Sequence, residues 1–263
     1  MHSKRLIVAV IAVPLLFLYV TKLPPVFFLC LLVVISTLAQ IEFNSMYKVR
    51  PSLSILSIFG GIGIFGIPYL FSHIDLQYQP EILPTLLILF VMLITSIRLF
   101  EIKNPKNSLM DIAPAIVSLV YIPLLLSPQW HIRLVGSEWI VILYGSVWAS
   151  DSLAYYVGKG IGKRKLYYEM SPNKTLEGGV GSIIGGATAA PLLAWAMGLF
   201  ANPMWVKVGF TGYILIGSCI GFFTIIGDLV ESMFKRDAGI KDSGSILPGH
   251  GGILDKMDGV LFA

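Results

Sequence analysis

The sequence predicts an all-α, polytopic integral membrane protein with about eight to nine transmembrane helices. Three observations predict it. Hydrophobic residues make up 56% of the 263-residue chain and charged residues 13%, whereas soluble domains carry about 25% charged residues. The apolar residues come in runs long enough to cross about 30 Å of hydrocarbon at about 1.5 Å per helical residue. Lys and Arg are dense and sparse in alternate loops, the pattern that orients membrane helices.

Eight runs read as spans: 6–22, 24–41, 52–71, 82–99, 108–126, 137–157, 178–200 and 207–231. The first follows Lys4 and Arg5, as in a signal peptide. No small-residue cleavage site follows, and Lys22-Leu23-Pro24-Pro25 leads into the second run, so a retained first helix is expected. The third run carries Phe59-Gly60-Gly61-Ile62-Gly63, small residues that let membrane helices approach closely. A ninth apolar stretch, from Gly252 to Ala263, is too short to cross. Cys30 and Cys219 sit inside apolar runs and are read as lipid- or core-facing, neither a disulfide nor a metal pair.

Basic residues give the orientation. Lys4 and Arg5, Lys48 and Arg50, Lys103 and Lys106, the five in 158–177, and Lys235, Arg236, Lys241 and Lys256 mark rich segments. Between them, the first turn, the 72–81 loop, the 127–136 loop and the 201–207 turn hold at most one each. This places the N-terminus and the loops at 158–177 and 232–252 in the cytoplasm. The formal charge of +4 then serves topology, anionic headgroups or phosphates, and no nucleic-acid partner is expected.

Two segments, 151–181 and 227–258, add acids, glycines and polar residues to their basic charge. On a continuing helix Asp228, Glu231, Ser232 and Lys235 share one face. From Asp237 to Asp258 acids, cations and glycines alternate without hydrophobic periodicity. Glycine lets backbone approach a ligand, and basic side chains with free N–H groups suit phosphate oxygens. Carboxylates suit Mg²⁺, which favours one or two of them with waters and substrate phosphates. Asp255 and Asp258, three apart, share a helix face. The pattern reads as a nucleotide–metal site, and spacing alone does not name the reaction. The plainer reading, in which Asp228 pairs with Lys235, stays open.

The stretch from Ser232 to Asp258 resembles the signature of the phosphatidate cytidylyltransferase (CDP-diacylglycerol synthase) family. Ser232, Lys235-Arg236, Lys241-Asp242, Pro248, His250-Gly251-Gly252, Asp255 and Asp258 stand at matching spacing. Upstream, Asp151-Ser152-Leu153-Ala154-Tyr155 with Gly158-Lys159 is similar to a second family segment, and Ser171-Pro172-Asn173-Lys174-Thr175 with Glu177-Gly178 to a third. The likeness covers about the last 115 residues; the first 130 match as generic membrane helices. Departures are Lys256 where the family usually has Arg, Asn173 for a Lys, and an end at Ala263 where a further helix is usual.

The resemblance implies transfer of the cytidylyl group of CTP to phosphatidic acid, giving CDP-diacylglycerol and pyrophosphate. The acceptor phosphate is already anionic, so positioning and charge stabilisation matter more than a strong base. Asp228, Asp255, Lys241 and His250 are the expected catalytic set. Asp228, Asp255, Asp258 and Asp242 are the expected ligands of Mg²⁺, with room for a second cation. Lys174, Ser171, Thr175, Ser232, Lys235, Arg236 and Asp151 are the expected substrate contacts. Ser171, Thr175 and Ser232 bind CTP or cap helices; His250 donates to a phosphate or orders its glycines; Tyr155 stacks on a base or sits at the interface. On this reading residues 1–135 are N-terminal transmembrane helices and 136–263 a catalytic transmembrane region with cytoplasmic loops. The expected setting is the cell inner (plasma) membrane, with the active site on the cytoplasmic side and a homodimer as the implied assembly. Two rivals remain: a CTP-dependent polyprenol or dolichol-type lipid kinase, told apart by its products, and a transporter, whose acids would cluster near mid-membrane.

Overall fold

A computed structural model describes residues 14–71, 79–199, 208–246 and 251–263. The chain is a polytopic all-α membrane protein. Among the described residues seven helical segments are long and apolar enough to cross a membrane. Residues 14–22 are also helical, and the rest of the expected first span lies outside the described residues. The helices are α1 (Pro25–Met46), α2 (Pro51–Phe71), α3 (Gln79–Glu101), α4 (Ser108–Leu119), α5 (Pro128–Val135), α6 (Ser137–Ile161), α7 (Leu176–Ala196), α8 (Gly209–Asp237) and α9 (Leu254–Phe262). Between α6 and α7 lie two antiparallel strands, β1 (Lys165–Tyr167) and β2 (Ser171–Thr175).

Local chemistry sets several boundaries. α1, α2 and α5 each begin on proline, whose fixed φ and missing N–H suit a first helical position. α8 stops where Gly239 turns left-handed, at φ 72°. Gly239 N–H donates to the Arg236 carbonyl at 3.0 Å and Ile240 N–H to the Lys235 carbonyl at 2.9 Å, closing a Schellman turn.

Several helix ends differ from the sequence reading: α1 runs past 41 to Met46 and α8 past 231 to Asp237. The run at 108–126 continues through a π-helical turn at Val120–Leu124 and α5 to Val135. Pro123 lies in that turn and cannot donate to the ladder, and the wider turn takes up the break. Helix α6 runs past residue 157 to Ile161, so Gly158 and Lys159 are helical. Hydropathy ends a membrane run where charges begin, but the helix itself needs only satisfied backbone.

Contacts group the chain into two compact units. One holds residues 1–30, 129–230 and 262–263; the other holds 31–128 and 231–261. In the first unit α6 and α7 pack along their length. A Cβ on Gly178, Gly181 or Gly185 of α7 would come within 2.9, 3.0 and 2.7 Å of the carbonyls of Ala154, Leu153 and Ala149. On another side of α7, Gly186 meets Gly217 of α8 backbone to backbone, and Ser182 donates to the Gly221 carbonyl at 2.9 Å. Tyr213, stacked on Trp139, fills the core with Ile142, Ala190, Ala194 and Leu199.

In the second unit Leu53, Ile94 and Ala115 join α2, α3 and α4. Polar side chains bond across that interior: Gln40 donates to the Ser57 carbonyl, and Asn44 to the hydroxyls of Ser54 and Ser57. Buried Arg98 pairs with Asp111 at 2.7 Å and donates to the carbonyls of Ile102, Asn104 and Lys106. Phe43, Tyr47 and Tyr121 close around Phe234 near the end of α8. The Tyr47 hydroxyl donates to Asp237 at 2.9 Å; burial and that carboxylate push it well above the ordinary phenol range.

Candidate active site

In the first unit the hairpin brings the two upstream motifs together. Thr175 ends β2 and caps α7, its hydroxyl accepting from Gly178 N–H at 3.1 Å. Glu177, in the first turn of α7, reaches back to accept from the N–H groups of Lys163 and Arg164, at 3.0 and 3.2 Å. Gly158 and Gly162, at the end of α6, leave no room for a side chain against Thr175. The Asp151–Gly158 and Ser171–Gly178 segments therefore pack as one corner. Lys174 projects from it and pairs with Asp228 of α8 at 2.5 Å, both partly buried. Ser171 is partly buried at the start of β2, and Asp151 is exposed on α6.

In the second unit the charges gather around Lys235. Its ammonium lies 2.5 Å from Glu231, one turn earlier on α8, and 2.7 Å from Asp255 of α9. Glu231 is fully buried. The second oxygen of Asp255 accepts from Ser243 N–H at 3.0 Å and Gly252 N–H at 2.8 Å. Burial alone would raise the Asp255 carboxyl; the Lys235 ammonium and the Gly252 N–H outweigh it and hold the group below the ordinary carboxylate range. Asp258, one turn further along α9, brings a carboxylate oxygen within 4.8 Å of one from Glu231. Asp228 precedes Glu231 by three residues on α8, on the same face of that helix.

Glu231 and Asp255 thus flank a single ammonium, and Asp258 stands beside Glu231, three carboxylates in all. Formally they leave two negative charges unmatched, the complement of one divalent cation. Two of them, Glu231 and Asp258, are close enough to share it. Oxygen donors of this kind and number fit Mg²⁺, which takes one or two carboxylates and keeps waters and phosphates for the rest.

The remaining expected residues are placed as follows. Ser232 is buried on α8. Arg236 donates to the Ile240 carbonyl at 3.1 Å. Lys241 and Asp242 are exposed just beyond the Schellman turn. His250 lies outside the described residues.

Residues 3–263 match the Cytidylyltransferase family. The chain belongs to that family. It is 48% identical over 116 residues to the phosphatidate cytidylyltransferase of Bacillus subtilis (strain 168), covering 44% of this chain and 40% of that protein. It is 37% identical over 167 residues to that of Haemophilus influenzae, covering 62% and 57%. Against that of Staphylococcus aureus (strain COL) it is 40% identical over 163 residues, covering 61% and 58%. The match spans 40% to 58% of these relatives' own length.

Two acids of the site have no role in the sequence reading. Glu231 shares the face of Asp228 without one, and Glu42 lies just past the end of a run that reads as generic. The sequence carries a signal for it: Gln40, Glu42 and Asn44 are strongly polar residues in a largely apolar membrane helix, a place where such residues are costly.

Proposed function

We propose that this chain transfers the cytidylyl group of CTP to phosphatidic acid, releasing pyrophosphate and leaving CDP-diacylglycerol in the bilayer. The observation that carries the reading is the carboxylate set around Lys235 at the end of a membrane-length helix, in a family whose relatives here bear that name. A phosphate oxygen of the lipid forms the new bond to the α-phosphorus of CTP. The bond to the bridging oxygen breaks, and that oxygen leaves with the electron pair on pyrophosphate. The attacking oxygen is already anionic, so the protein's task is to bring two anions together and to hold the charge that develops.

Glu231 and Asp258 would hold Mg²⁺, with Asp228 a further ligand from the same face of α8. The cation would neutralise the triphosphate and stabilise the leaving pyrophosphate. Lys235 orients Glu231 and Asp255. Lys174, Arg236 and Lys241 supply the remaining positive charge for phosphates, with Asp242 and His250 beside them. Residues 136–263 carry these contacts. The site faces the cytoplasm of a bacterial inner membrane, where CTP is, and a homodimer is the assembly proposed.

The test is purified protein in lipid nanodiscs with CTP, Mg²⁺ and phosphatidic acid. CDP-lipid and pyrophosphate in equal amounts are expected. CDP with a phosphorylated lipid alcohol as product would replace the reading with a lipid kinase. Orientation is tested by single-cysteine labelling at position 165 in a Cys30→Ala, Cys219→Ala background; labelling only from outside would remove the site from cytoplasmic CTP.

A further inference from the structure

The proposed metal ligand Asp258 and its neighbour Asp255 sit on α9, a helix of nine residues that must be aimed at Glu231 and Lys235. What aims it lies far away in the sequence. Glu42, near the end of α1, is buried at 4% exposure. One of its carboxylate oxygens accepts from Ile253 N–H at 2.9 Å. The other accepts from Leu254 N–H at 2.9 Å and from the Ser243 hydroxyl at 3.2 Å. Ile253 and Leu254 lead into the first turn of α9, where N–H groups have no partner within the helix and a negative charge is favoured. The carboxylate also fits a cradle. A Cβ on Gly244 or on Gly252 would stand 2.5 Å from a Glu42 oxygen. Both sides of the loop that bears Asp242 therefore close on one buried side chain, and Ser243, which Glu42 holds by its hydroxyl, gives its N–H to Asp255.

We infer that Glu42 is a positioning residue for the metal site: by holding the start of α9 and the Ser243–Gly252 loop closure, it sets where Asp255 and Asp258 present their carboxylates. The inference rests on the proposed reading of Glu231 and Asp258 as cation ligands. It gives the N-terminal helices a part in the chemistry that no motif in them announces. Groups that orient ligands in this way change metal affinity by about 10- to 100-fold when removed.

The test uses the full chain in nanodiscs, without CTP or phosphatidic acid, titrated with Mn²⁺ and followed by electron paramagnetic resonance. Wild type is compared with Glu42→Gln and Gly244→Ala, and Tm is measured in parallel. Glu42→Gln keeps the shape but loses the charge; Gly244→Ala keeps the charge and displaces it. The expected result is Mn²⁺ binding weakened about tenfold or more in Glu42→Gln, with a smaller loss in Gly244→Ala, each at a Tm close to wild type. The Mg²⁺ needed for half-maximal turnover should rise in step. Unchanged Mn²⁺ affinity in a folded Glu42→Gln overturns the inference, as does wild type that binds no Mn²⁺. If Glu42→Gln does not fold, Gly244→Ala decides alone, by the same criterion. The reaction is judged separately: wild type that binds Mn²⁺ but makes no CDP-lipid defeats the proposed function while leaving the anchor in place.

Discussion

The hairpin corner around Thr175 and the loop that leads into α9 carry similar residues, yet they are ordered by different means. In the corner the backbone is ordered locally: Thr175 caps three residues on, and Glu177 reaches Lys163 and Arg164 thirteen or fourteen residues back. The loop before α9 is held by Lys235, twenty residues from Asp255, and by Glu42, more than two hundred residues from its partners. Local bonds close as the chain folds and lose little when one is removed, because backbone neighbours remain. Distant charges hold a loop only while every partner is present. Damage to the second region should therefore be larger and should reach the chemistry.

The largest effect is expected from Lys235→Met. It strands Glu231 and Asp255, and removing one partner of a buried ion pair costs about 3–5 kcal/mol. Turnover should vanish and Tm should fall steeply. Adding Asp255→Asn to that variant should recover part of the stability, because one stranded charge goes. A Tm equal to wild type for Lys235→Met would mean that the loop does not depend on this pair.

Next comes Asp255→Asn alone. The amide cannot serve Lys235 and two N–H groups as the carboxylate does. CDP-diacylglycerol synthesis should fall by about 10- to 100-fold, with membrane insertion intact. Near-normal synthesis at saturating lipid and ordinary Mg²⁺ would rule out any part for Asp255 in holding the site.

In the corner, Thr175→Ala should cost about 1 kcal/mol through the lost cap, while Thr175→Ser is nearly silent. Should Thr175→Ala abolish turnover without lowering Tm, the hydroxyl serves CTP as well as the helix, and the contrast between the regions narrows. The smallest effect is one of pH. Asp255 is held below its ordinary carboxylate range, so its contribution to stability is complete above its unfolded pKa, about 3.9. That contribution is lost as pH falls below 3.9 and through the lowered folded value. Between pH 7 and 5 no loss of Tm should be removable by Asp255→Asn; a difference there would show that the pairing with Lys235 does not lower the group.

The same contrast explains what could be read in the sequence. Membrane helices follow from hydropathy because hydrocarbon forces every backbone group into a helix, whereas the end of α8 lies six residues past the apolar run, at a glycine turn that hydropathy does not mark. The Asp151–Gly158 and Ser171–Gly178 motifs meet because short connections keep neighbouring helices together. Spacing also put Asp255 and Asp258 on one helix face. It could not say that Asp255 turns to Lys235 while Asp258 faces Glu231, because that depends on the approach of α8 to α9. Glu42 stands out as an acid in a membrane helix, but its partners lie more than two hundred residues away, so its neighbours in sequence do not name the loop that it holds.

The glycine contacts of α6, α7 and α8 have a consequence for life in a changing membrane. Where Gly178, Gly181, Gly185 and Gly186 bring backbone against backbone, the spacing of the helices is set by peptide groups already at their closest approach. A bilayer that stiffens on cooling, or thins as its acyl chains shorten, changes the lateral pressure on such a bundle. At these glycines little side chain separates the helices to compress or swell. The hairpin that joins α6 to α7 would keep its geometry while the surrounding lipid is remodelled, a useful property for a protein proposed to make the precursor of that lipid.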